Sequence, residues 1–274
     1  SYSVTGVQTC ALPIWILILI FIFVTGFIAG RLVLLVANRI SERFELTRKQ
    51  YIKNASLDDS SSMRGKVSAN NPLAKNELHK IPNKVRTNVF LTELVTGALF
   101  GALFLRFGLS WSFAVYCLFF FALISIFIID LEMMVIPDLI SLSALVVGFG
   151  ASFLGILPGV NWPASLAGII FGIAILYVPA KIYEVAKGSS GLGGGDVKLL
   201  AMIGSFVSVQ GVIFTLFFGA FTGLLVSTAK ILLSKSGSKD PIPFGPYLVS
   251  AAIFYVLEGS GLIANFLTNK TLFF

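Results

Sequence analysis

Apolar runs of membrane length follow one another along this chain, separated by short polar breaks and by a single long polar stretch. The first run, Trp15 to Ala37, is interrupted only by Arg31, whose stem can snorkel to the interface if it faces lipid or whose head can be held inside a bundle. From Val89 onward, breaks at charges, Pro and Gly predict seven more helices: Val89 to Phe107, Ser110 to Ile129, Leu139 to Leu157, Pro163 to Tyr183, Val197 to Val209, Val212 to Leu233 and Tyr247 to Leu267. Val197 to Val209 is short against the roughly 20 residues that a span requires, so it is expected to be tilted, thinned around or partly buried in protein. The pattern predicts an all-α integral membrane protein, a polytopic bundle of about eight transmembrane helices with a basic cytoplasmic loop after the first.

Composition agrees: 56% hydrophobic and 12% charged residues lie far from the roughly 25% charged of a soluble domain. The long polar stretch, Asn38 to Asn88, carries eleven of the twenty Lys and Arg residues. It lacks interleaved aromatics and adjoins a span, which argues against nucleic acid and places it in the cytoplasm, against a lipid bilayer. Lys181, Lys187 and Lys198, and then Lys230, Lys235 and Lys239, mark two further cytoplasmic connections, whereas Pro158 to Trp162 has no charge. Ser1 to Ile14 has no basic n-region of a signal peptide and does not match the helix that follows, so it is set aside as non-native sequence. Two cysteines, Cys10 and Cys117, with the lone His79 cannot make a four-ligand Cys/His zinc site, so no metal or other cofactor is assigned.

The candidate chemistry sits at two run ends. Gly191 to Gly204 puts Asp196 at the seam between a glycine-rich turn and an apolar helix, and Asp130 to Asp138 supplies further carboxylates. An ionisable group at such a place is costly and is a functional candidate by default, although single carboxylates also cap helices. The predicted topology brings both stretches to the same, cytoplasmic, side of the membrane. Two carboxyl groups held close together do not both ionise easily; they share a proton, one activating water while the other polarises a carbonyl. That is aspartyl peptidase chemistry. The adjacent glycines suit an extended peptide approaching the backbone, and equally suit a tight turn at the membrane surface.

Gly193-Gly194-Gly195-Asp196-Val197-Lys198 resembles the GxGD signature of type IV prepilin peptidases, which are intramembrane aspartyl proteases. Asp130 to Asp138, ending in Pro137-Asp138, is similar to that family's first aspartate motif, Pro243-Phe244-Gly245-Pro246 to its motif before the last helix, and Thr92 to Gly97 to its segment entering the second helix. The resemblance covers Val89 to about Leu267, which it marks as the peptidase domain, with Thr268 to Phe274 as a tail. It implies a multi-pass protein of the bacterial inner membrane whose active site faces the cytoplasm. There it would remove the leader of a prepilin or pseudopilin, after a glycine and ahead of the substrate's hydrophobic helix. By motif position the catalytic pair would be Asp130 and Asp196, with Pro137, Asp138, Gly193, Gly195 and Lys198 supporting the motifs. Asp138 competes with Asp130. It follows a proline at a helix start, where a carboxylate has a structural job, while Asp130 ends a helix, where the dipole disfavours negative charge. Helix-end position also suggests Asp196 as base and Asp130 as acid. Lys198 is expected to anchor to headgroups or hold the loop. Many members carry Cys-x-x-Cys pairs in the first loop, associated with zinc and N-methylation; none lies between Asn38 and Asn88, so the implied function stops at the peptidase. A transporter or channel would use the same three aspartates for ions or protons, but no internal repeat is visible and these carboxylates lie near one membrane face. A structural secretion subunit would leave the acidic motifs unexplained.

Overall fold

The computed structural model describes residues 8–61, 88–187, 193–233 and 243–259. It holds seven α-helices: α1 (Gln8–Ser61), α2 (Val89–Phe107), α3 (Trp111–Met133), α4 (Asp138–Phe153), α5 (Trp162–Lys187), α6 (Gly194–Leu233) and α7 (Gly245–Phe254), the last running on as a π-helical turn, Tyr255–Gly259. No strand occurs among the described residues. Local chemistry explains the ends. The Ser110 side chain accepts the N–H of Phe113 to cap α3, and Asn161 Oδ1 accepts the N–H of Ala164 ahead of α5. Pro163 and Pro246 sit in first turns, where the missing N–H costs nothing.

Five described segments are long and apolar enough to cross a membrane: Ile16–Phe44, Val89–Phe107, Trp111–Met133, Trp162–Val185 and Gly194–Leu233. The apolar helices Asp138–Phe153 and Gly245–Glu258 are shorter. The described residues are therefore helical and polytopic, with five helices meeting this length and composition, one of them (α6) bent into two arms, and two shorter apolar helices beside them. Residues 260–267 of the last predicted span, like His79, lie outside the described residues. α1 begins at Gln8, within the segment set aside, and continues past its apolar run to Ser61, through part of the stretch expected to be loop. Arg31 to Arg64 contains neither Gly nor Pro, so nothing local stops the helix.

Glycines set the helix crossings. Gly26 and Gly30 of α1 lie against Gly97, Phe100 and Glu93 of α2, and Gly168 and Gly172 of α5 lie against Gly204 and Leu200 of α6. In each case a Cβ would meet the neighbouring backbone, the small-residue packing by which helices associate without a water-driven hydrophobic force. α6 breaks at Ser208, whose φ of 60° and ψ of −173° leave the helical region. Contacts give the direction beyond the break: Gly211 adjoins Tyr255, Gly219 adjoins Leu248, and Gly223 adjoins Tyr247. The second arm of α6 therefore runs back along α7 toward Gly245. The predicted pair Val197 to Val209 and Val212 to Leu233 thus exists as two arms joined at one residue. The short first arm is sheathed by protein, with Leu199, Leu200, Met202, Ile203 and Phe206 fully buried, which answers its deficit in length. Phe206 stacks on Phe119 of α3 with ring centroids 4.0 Å apart at the centre of the core.

Candidate active site

Four helix ends converge at one end of the bundle: the C-terminus of α3 and the N-termini of α4, α6 and α7. The prediction ended α3 at Ile129; the helix continues to Met133, so Asp130 lies inside its last turns and is only 4% exposed. Met134 closes the helix in the left-handed conformation (φ 54°), its N–H donating to the Asp130 carbonyl at 2.9 Å. The chain then crosses through Ile136 and Pro137 and re-enters a helix at Asp138, the first residue of α4.

Asp196 stands half-buried in the first turn of α6. Gly195 beside it is packed on Ile136, and a Cβ there would lie 3.1 Å from the Ile136 side chain. Asp130 and Asp196, from two different helices, line one open cavity of about 400 Å³ together with Asp138, Lys198, Gly193 to Gly195, Met134 to Ile136 and Phe244. Asp138 is also in this cavity but is already engaged. Lys198 Nζ donates to its two carboxylate oxygens at 2.6 and 2.7 Å, tying the start of α4 to the first turns of α6. Lys198 thus holds a partner on a neighbouring helix.

One participant was beyond sequence reasoning. The backbone N–H of Gly245, the first residue of α7, donates to the Asp130 carboxyl group. The motif containing Gly245 is visible in the sequence, but its contact with a residue more than a hundred positions earlier is not. This donor serves Asp130, and because Asp130 and Asp196 line the same cavity their two carboxyl groups act as one coupled unit. Among the described residues no group of three His, Cys, Asp or Glu side chains could hold a metal ion. Two carboxyl groups on one water-accessible cavity, backed by a buried apolar core, are instead equipped to pass protons to and from a molecule placed between them.

Residues 117–228, which include all three aspartates, match the Type IV leader peptidase family. A prepilin leader peptidase/N-methyltransferase of Bacillus subtilis strain 168 is 33% identical over 175 residues, 64% of this chain and 68% of that protein. The chain belongs to the type IV leader peptidase family. Proteins of the same name from Stutzerimonas stutzeri and Pseudomonas aeruginosa are each 30% identical over 177 residues, 65% of this chain. The matches span 61% and 60% of those two relatives' own lengths. No solved structure matches the chain at comparable stringency. The family match stops short of Gly245.

Proposed function

We propose that this leader peptidase family member is a membrane-embedded aspartyl endopeptidase that removes the leader of a type IV prepilin or pseudopilin. Cleavage falls on the cytoplasmic side, after a glycine, with the residues from Val89 onward as the peptidase domain. The observation that carries the proposal is that Asp130 and Asp196 share one open cavity while the third aspartate, Asp138, is paired with Lys198.

In the proposed reaction one proton is shared between the two carboxyl groups. The ionised carboxylate accepts a proton from water as its oxygen attacks the scissile carbonyl carbon, and the protonated carboxyl donates to the carbonyl oxygen. The tetrahedral diol collapses as the protonated carboxyl donates to the leaving amine nitrogen and the C–N bond breaks, while the ionised carboxylate accepts the proton of one diol hydroxyl, whose oxygen becomes the product carbonyl; one proton is again shared by the pair. Gly193 to Gly195 leave backbone edge accessible to an extended peptide at the cavity wall. The basic residues between Asn38 and Asn88 support the cytoplasmic orientation. The curated relatives' names include N-methyltransferase; the proposal for this chain extends only to the peptidase.

The test is leader cleavage of a prepilin-like peptide by the purified, membrane-reconstituted protein and its single Asp→Asn variants. Loss of cleavage in Asp130→Asn and Asp196→Asn, with insertion and folding intact, is the expected result. Full activity in either variant would refute the assignment.

A further inference from the structure

Gly245 stands where the cavity, α7 and Asp130 meet. An added Cβ at this residue would lie 2.5 Å from Asp130 Oδ2 and 3.1 Å from its carboxyl carbon, closer than a side chain can sit without displacing the carboxyl group. The residue also supplies the backbone N–H that the carboxyl accepts, and it opens α7, so the positive end of that helix faces the same oxygen. Pro246 follows and has no N–H, which removes the next amide as a competing donor. Three residues further along α7, Leu248 is fully buried against Gly219 of α6, which fixes the helix relative to the bundle.

We propose that Gly245 is a positioning residue for the dyad: it holds Asp130 through one backbone N–H and through the lack of a side chain, making the start of α7 part of the active site. The proposal rests on the peptidase reading for its consequence in catalysis, but not for the contact itself. Gly245→Ala displaces the Asp130 carboxyl, so kcat for leader cleavage falls at least tenfold while KM for the peptide stays within about twofold. Gly219→Ala, which crowds the same helix three residues further along but touches neither aspartate, serves as the control for a general shift of α7.

The decisive measurement is infrared spectroscopy on protein with isotope-labelled aspartate, the Asp130 band being the one lost in Asp130→Asn. A shift of that band in Gly245→Ala and its retention in Gly219→Ala are expected. Should Gly245→Ala fail to fold, glycolic acid introduced at position 245 replaces the N–H by an ester oxygen without adding a side chain, and the same shift is expected. An unchanged Asp130 band in the ester protein, or equal shifts in Gly245→Ala and Gly219→Ala, overturns the proposal. Full activity of Asp130→Asn would instead overturn the peptidase reading, leaving the infrared result to stand by itself.

Discussion

The sharpest prediction separates Asp138 from Asp130, because both line the cavity and either could be taken for the partner of Asp196. The perturbation is Asp138→Asn, which keeps the side-chain shape and removes the charge that Lys198 holds. The pair is short, at 2.6 Å, but its side chains are 59% and 41% exposed, so water already screens much of the attraction. Exposed pairs of this kind are worth about 0.2 to 1 kcal/mol. If the whole of the upper figure appeared in the barrier, the rate would fall about fivefold, since about 1.4 kcal/mol corresponds to a factor of ten. Loss of a residue that moves a proton in the transition state costs on the order of 10² to 10⁴ in rate. The two outcomes are separated by more than an order of magnitude. The assay is single-turnover cleavage of a prepilin-like peptide in bilayers, comparing Asp138→Asn, Asp130→Asn and the double variant Asp138→Asn with Lys198→Met. The structure predicts measurable turnover in Asp138→Asn, within about tenfold of the parent, and none in Asp130→Asn. The double variant should be no worse than the single one, because it leaves no unpaired lysine beside the cavity. A collapse of Asp138→Asn to the level of Asp130→Asn would refute the reasoning.

Three further outcomes follow from the packing and from the first loop. Gly204→Val should destabilise the protein by about 1 to 3 kcal/mol, the usual overpacking range, because its added side chain meets the Gly168 backbone; Gly101→Ala, with nothing within 4 Å, should be neutral or slightly stabilising in thermal unfolding. Arg31 lies 3.9 Å from the buried Glu93, so Arg31→Ala should lower the unfolding temperature more than Glu93→Gln, which removes the charge instead of stranding it; the reverse order would show that the pair contributes nothing. Incubation with S-adenosylmethionine should leave the mature product without added mass, and a protein-dependent gain of one methyl group would extend the function beyond cleavage.

The sequence alone was enough for the class and for the two candidate stretches. Apolar runs tens of residues long report directly on a lipid environment, since each residue adds to the same transfer energy, and Val89 to Phe107 was located to the residue. Helix ends were harder. Asp130 was expected beyond the end of its helix and lies within it, because a charged residue that the fold can bury looks in sequence like a residue that terminates a run. The extent of α1 was missed for a related reason: a helix leaving the membrane keeps its backbone bonds while its side chains turn polar, and hydropathy follows only the side chains. The reversal near Ser208 was legible as a break between Val209 and Val212, where Gln210 and Gly211 interrupt the apolar run, but the residue that turns, itself neither Gly nor Pro and close to α5 at Gly168, was not. Only the tertiary structure could show that Asp138 is held by Lys198 and that Gly245 serves Asp130. Each contact joins residues far apart in the chain, and its existence depends on how four helices stack and not on any stretch that could be read by itself.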